Sequence, residues 1–417
     1  MTDRRVTHQR LPGVVLIGGV ILVAINLRPA AASIGPVLNR IQTGTGMSSG
    51  WAGALTTLPV LCFGLLAPLG PLLARRLGLR TSIAGAMVAL VGGMLIRLVP
   101  GIGLLFVGTA IAGAAIAIGN VLVPVLIRRD FPDRTGMAMA LYSTALIGFA
   151  ALAAGLTVPL ADTLGGGWRP GLGVWAIPAA VGAAAWLPAF VRRDGPTRGV
   201  SPNRNAGDGR PDDPGRGDGS RPPHTARTLL RNPLAWQVTL FFALQSGGFY
   251  ATLAWLPSIF RSHGASEAHA GLLLSLSMVV GLATALTLPA LAVRARDQRL
   301  LVLGCCALTA AGLSGLLFAP MSAPYVWTVL LGLGQNAAFP LALMLIVLRG
   351  GSVATTEGLS TMAQSIGYVL AAFFPLVVGA LHGASGSWTP AVLLLLALTA
   401  PQLITGLAAG RDRTLRR

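Results

Sequence analysis

Charge is what this 417-residue chain has least of: 11% of its residues are Asp, Glu, Lys or Arg, against about a quarter in a soluble domain. Acids are the scarcer sign, with 13 Asp and Glu against 31 basic residues. None of the acids falls at the centre of an apolar run, so a proton relay through buried carboxylates has no obvious carrier. Lysine is missing altogether, and every basic side chain is Arg. The three cysteines, Cys62, Cys305 and Cys306, lie inside apolar runs. They form neither a disulfide framework nor a metal-ligand spacing, which leaves small-hydrophobe packing as their role. The five His residues stand outside the runs or at their edges. No glycine loop of the phosphate-binding kind is present, which excludes direct ATP use. No nucleophile–base pair is visible either. The reading is therefore of a chain that is not an enzyme and uses no metal and no cofactor.

Apolar residues fill the space that charge leaves: the chain is 53% hydrophobic, with a mean hydropathy of +0.71. Long runs recur along its length, and the pattern predicts an all-α membrane protein with twelve spans. They fall near 12–38, 48–73, 81–99, 103–127, 136–160, 170–191, 234–260, 270–293, 300–318, 325–348, 358–381 and 388–409. The net charge of +18 does not signal a nucleic-acid partner, because the arginines sit in alternate gaps between runs. With the N-terminus in the cytoplasm, Arg4, Arg5, Arg10, Arg75, Arg76, Arg80, Arg128, Arg129 and Arg134 all fall inward. Little more than Arg40, Arg169 and Arg261 falls outward. This asymmetry predicts a multi-pass protein of the plasma (inner) membrane with both termini cytoplasmic.

Residues 194–226 differ in kind, being Asp, Gly, Pro, Arg, Ser and Asn with almost nothing apolar. They predict a disordered cytoplasmic linker over 192–233 between a six-helix bundle over 1–191 and a second over 234–417. The two bundles resemble each other. Pro36 and Pro68 match Pro257 and Pro289, Asn120 and Pro124 match Asn336 and Pro340, and Trp168 and Pro170 match Trp388 and Pro390. The matches keep their order and an offset of about 220 residues, as in transporters built from two related halves around a mid-membrane site.

The candidate site starts at Asn26-Leu27-Arg28-Pro29. An Arg at mid-span is costly and persists where it faces protein or a water-filled cavity. Pro29 lacks an N–H, so the carbonyl of Ile25 loses its helical donor beside that charge. Asn120 with Pro124, and Asn336 with Pro340, repeat the logic: at this spacing the proline frees the Asn's own carbonyl. Gln335 adds an amide; Tyr142 comes from the fifth span, Gln245 and Tyr250 from the seventh, Gln364 and Tyr368 from the eleventh. The expected substrate-binding set is Arg28, Asn26, Asn120, Tyr142, Gln245, Tyr250, Gln335, Asn336 and Gln364, which suits an anion or an electron-rich polar solute. For any one of these side chains, the bland alternative is an interhelical hydrogen bond.

Three stretches carry a family resemblance: Asn26-Leu27-Arg28-Pro29; Gly119-Asn120-Val121-Leu122-Val123-Pro124 running into Arg129-Asp130-Phe131-Pro132; and Trp236-Gln237 through Gln245-Ser246 to Trp255-Leu256-Pro257. With twelve spans in two halves, the chain resembles the major facilitator superfamily and, within it, the cyanate and 2-nitroimidazole transporter family. The resemblance implies alternating access with the first, fourth, seventh and tenth helices lining the cavity, and small anionic or polar planar solutes. One departure is that Arg75 stands where the superfamily's second loop carries Asp. The resemblance implies that this loop packs against the start of the eleventh helix, and its counterpart against the start of the fifth. Two cytoplasmic gate pairs are therefore expected, Arg75 with Glu357 and Asp297 with Arg134. The expectation is a monomeric transporter whose partners are a small solute and the lipid bilayer. An exporter of drug-like compounds and a ligand-binding sensor are the alternatives.

Overall fold

The computed structural model describes residues 13–188 and 226–415, and within them every regular element is helical. Helix α1 is broken into Gly13–Leu27, Pro29–Ala32 and Ile34–Thr45. Helix α2 is Ser49–Leu66 continued by Leu69–Leu77. Then come α3 (Leu79–Ile96), α4 (Ile102–Asp130), α5 (Thr135–Thr163) and α6, which is split into Trp168–Gly173 and Ala176–Trp186. The second half holds α7 (Pro233–Ser262), α8 (Glu267–Arg294), α9 (Arg299–Phe318), α10 (Pro324–Gly350), α11 (Val353–Ser385) and α12 (Thr389–Ala409).

Nine of these helices are long and apolar enough to cross a membrane unaided, and the bent α1 makes a tenth. The other two fall short for different reasons. Helix α6 is in two pieces, and α7, at 30 residues, is diluted by Gln237, Gln245 and Ser246. The expected linker lies outside the described residues except at its end. There Ala226–Leu230 is helical, with Leu229 buried, because this stretch has regained apolar side chains to pack. Side-chain oxygens of Ser48, Asn232, Ser266 and Ser352 cap α2, α7, α8 and α11, satisfying N–H groups that a helix start leaves open.

The halves meet along α2 against α11, α5 against α8, and the last segment of α1 against α7. Lipid gives helices no hydrophobic reason to associate, so close approach depends on small residues. A Cβ on Gly53 would lie 2.7 Å from the carbonyl of Pro375, one on Gly64 2.9 Å from that of Ser365, and one on Gly271 2.7 Å from that of Ala154. Each contact is backbone against backbone across the two halves. Trp255, fully buried, donates its indole N–H to the Pro375 carbonyl at 2.8 Å. Pro375 thus serves α7 and α2 at one point.

Helix α1 is broken at Arg28-Pro29 and again at Ser33, where Ile17–Ala32 and Ile34–Thr45 meet at 42°. At the first break Pro29 removes a donor, and the turn continues with the Ala31 and Ala32 N–H groups on the Arg28 carbonyl at 3.1 and 2.9 Å. Arg97, wholly buried at the end of α3, donates from Nη1 to the Ala30 carbonyl at 2.7 Å. A charged donor thus sits on the backbone of the short segment that follows Pro29.

These approaches make a testable pattern. Gly53→Val and Gly271→Val should each destabilise the protein by about 1–3 kcal/mol, the usual cost of overpacking. Gly148→Ala in α5, where a Cβ meets nothing within 4 Å, should be neutral or slightly stabilising. Thermal unfolding of the purified variants in detergent reads the difference.

Candidate functional site between the two halves

Arg28 stands at the first break in α1, half-buried, with no hydrogen-bond partner for its Nε. Its position follows from the sequence locally: Pro29 interrupts the helix, and the interruption turns the preceding residue out of the regular ladder. The guanidinium charge acts on the hydroxyls of Tyr142 on α5, Tyr250 on α7 and Tyr368 on α11. Both halves therefore contribute to its surroundings. Tyr142 also donates to the Asn120 Oδ1 on α4, a long hydrogen bond of 3.4 Å.

An aromatic cluster adjoins the charge. Phe63 on α2 lies 6.1 Å from Tyr250 and 5.7 Å from Tyr368, centroid to centroid, and the two tyrosines are 6.4 Å apart. Phe242 meets Tyr368 edge-on at 5.0 Å. Such tilted and edge-to-face pairs hold rings in fixed orientation. The result is a guanidinium with spare donor capacity beside aromatic rings drawn from both bundles. That combination recognises a flat, electron-rich solute by charge, hydrogen bond and stacking.

The other expected binding residues are placed differently. Asn26 is buried and ties α1 to α6 through its Nδ2 on the carbonyls of Leu22 and Pro178, at 2.7 and 3.1 Å. Asn336 spends its Nδ2 on the carbonyls of Gly332 and Ser277, at 2.9 and 3.2 Å, fastening α10 to α8. The repeated Asn–Pro signature thus has different partners in the two halves. Gln335 donates to the Thr252 hydroxyl at 3.0 Å. Gln245 donates to Ser246 at 2.6 Å, while its Oε1 is unpartnered. Both glutamines border a small cavity inside the second half that Thr309, Thr399 and Gln402 also line. Gln364 donates to Ser360, one turn away on its own helix, at 2.8 Å. The structure therefore gathers Arg28, Tyr142, Tyr250 and, through Tyr142, Asn120. Tyr368 and Phe63 join them without having been in the expected set. Tyr368, one helical turn from Gln364, carried a signal of spacing. Phe63, an aromatic in an apolar run, carried none.

The two expected gate pairs, Arg75 with Glu357 and Asp297 with Arg134, are not formed in this structure. Arg75, Arg134 and Glu357 are exposed. The charges of Asp412 and Asp297 act on Arg349, which is held within its own half by the Gln298 side chain and the Ala409 carbonyl. In the first half, Asp130 pairs with Arg80 and Arg129, at 2.9 and 2.8 Å. Among the described residues, these two ion pairs at this end stay within the first bundle. The ion pair that crosses between bundles lies at the opposite end, where Arg40 meets Glu267.

Comparison with known proteins agrees with the fold at the level of family. The family model described as Major Facilitator Superfamily matches residues 20–372. The chain is 38% identical to the uncharacterized transporter YycB of Bacillus subtilis (strain 168), covering 95% of this chain and 94% of that one. It is 37% identical to the 2-nitroimidazole transporter of Escherichia coli (strain K12), over 97% of each. It is 32% identical to the cyanate transport protein CynX of the same strain, over 88% of this chain and 90% of that one. Among solved structures, the nucleoside transporter NupG (D323A mutant) superposes with a TM-score of 0.73 at 11% identity, over 94% of this chain and 99% of that one, a likeness of fold. A match that runs through both bundles shows that the chain belongs to the Major Facilitator Superfamily, as a membrane transporter and not an enzyme.

Proposed function

We propose that this transporter moves a small, planar, anionic or electron-rich polar solute across the inner membrane by alternating access, with Arg28 as its central binding group. The observation that carries the reading is Arg28 itself: a half-buried guanidinium at a helix break, with an unpartnered Nε and the Tyr142, Tyr250 and Tyr368 hydroxyls around it. The relatives that transport 2-nitroimidazole and cyanate support the solute class. Both solutes are small and present acceptor atoms to a guanidinium, and the Phe63–Tyr250–Tyr368 cluster favours the planar ring over the linear ion. Cytoplasmic termini follow from the positive-inside asymmetry of the arginines.

No carboxylate stands at mid-membrane among the described residues. We therefore infer facilitated diffusion or exchange, or proton movement carried by the solute itself. In proteoliposomes, an imposed pH gradient should not drive accumulation of a solute without a titratable group. Strong gradient-driven accumulation of such a solute would contradict the inference.

The site reading has a direct test. Arg28→Ala should weaken binding of 2-nitroimidazole about 10- to 100-fold, the loss expected for a charged hydrogen bond, while the variant stays folded. Arg28→Lys should recover little, because an ammonium lacks the planar fork. Titration calorimetry with 2-nitroimidazole and with cyanate as probes gives both affinities. Unchanged affinity in Arg28→Ala would remove Arg28 from the site.

A further inference from the structure

Among the described residues, one ion pair joins the two halves, and it is flanked by a second pair inside each half. Arg40, on the last segment of α1, pairs through Nε with Glu267 at the start of α8. Within the first half, Arg40 Nη1 also meets the Asp162 carboxylate of α5 at 2.7 Å. Within the second, Arg261 Nη1 at the end of α7 meets the other oxygen of Glu267 at 2.7 Å. The crossing partners are 20% and 17% exposed. They border a polar cavity of about 420 Å³, with Asn39, Ser49 and Arg261 also on its wall. Beside it, Ser258 Oγ on α7 donates to Asn39 Oδ1 on α1 at 3.1 Å, a second polar contact between the halves. Ser258 is buried.

The order of partners along this chain of four charges decides what separation costs. Parting the halves at this end breaks Arg40–Glu267 alone. Arg40 keeps Asp162, Glu267 keeps Arg261, and no charge is left without a counter-charge. A buried pair stripped of one partner is strongly unfavourable, whereas exchanging one of two partners in a hydrated cleft is mild. The same geometry that closes this end therefore allows it to open. At the other end, the ion pairs Arg80–Asp130 and Arg129–Asp130 stay within one bundle.

We propose that Arg40–Glu267 is a reversible latch holding the outward mouth of the transporter shut, and that Asp162 and Arg261 hold its two charges when it opens. The word outward rests on the orientation proposed above; the latch does not.

Thiol accessibility tests it on the full chain in oriented membrane vesicles. Ser258→Cys puts a near-isosteric thiol behind the latch. The native thiols of Cys62, Cys305 and Cys306 are buried, and the chain without Ser258→Cys gives the background. A membrane-impermeant maleimide is the probe. In the Ser258→Cys background, Arg40→Gln and Glu267→Gln should each raise the labelling rate about three- to tenfold, the shift a modest ion pair makes between two states close in energy. Asp162→Asn and Arg261→Gln should leave it level or lower it, because they remove partners that the open state uses more than the closed one. All four variants delete one charge from the same cluster, so general loosening would raise labelling in all four alike. That result, or no rise in Arg40→Gln and Glu267→Gln, overturns the latch. Right-side-out and inside-out vesicles are labelled in parallel: the ratios among variants decide the latch, and the vesicle type that labels decides the orientation.

Discussion

A single interruption in the first helix governs much of this structure. Pro29 removes one backbone donor in the middle of the bilayer, and in lipid an open carbonyl has no water to turn to. On the short segment that follows, the buried Arg97 guanidinium donates to the Ala30 carbonyl. Arg28, the residue at the break, is left with donor capacity to spare. Two arginines inside the membrane thus have different positions. Arg97 is wholly buried and bonded to backbone; Arg28 is half-buried among tyrosines from both bundles. A structural charge pins the turn from which a second charge is presented.

The bundles are joined in a way suited to relative motion. Their contacts are glycines against carbonyls, the Thr57 hydroxyl on the Ala372 carbonyl, and few other polar links. Small-residue contacts depend on closeness of backbones rather than interlocked side chains, so they can be lost and regained as surfaces without unfolding either half. The ion pairs follow the same division. At the Arg75 end they close within a bundle, and at the Arg40 end one crosses. Such asymmetry is what a two-state rocking mechanism needs: one end held, the other released, with states lying close in energy.

The internal repeat illustrates how far a shared signature extends. Asn120 and Asn336 occupy matching places on α4 and α10, each four residues before a proline. Asn120 accepts from Tyr142, which faces Arg28. Asn336 bonds the backbone of its own helix and of α8. Packing explains the difference: a Cβ on Gly281 would fall directly on the Asn336 side chain, so α8 crosses tightly there, and the amide is consumed in that crossing. Ancestral symmetry fixed the residue type and the helix position, while the local neighbour fixed the use.

Composition and periodicity determined the all-helical, twelve-span, two-half architecture, because the bilayer imposes one solution on a long apolar run: a helix of about 20 residues with its backbone bonded internally. They also determined the break at Arg28-Pro29, since proline's missing donor acts locally. What they could not determine is which polar groups meet. Gln245 and Gln335 lie on helices expected to line the cavity, yet both border a pocket inside the second bundle. A shift of one residue turns a side chain by about 100° around its helix, and neither composition nor spacing resolves that angle for helices with little polar–apolar contrast. Phe63 was invisible for the same reason, since an aromatic in an apolar run can face lipid, core or cavity. The gate pairs depended on something further still. Among the described residues the ion pair between bundles lies at the Arg40 end, and the partners of Arg75 and Glu357 depend on how the two bundles pack together, which neither residue's neighbours in the chain decide.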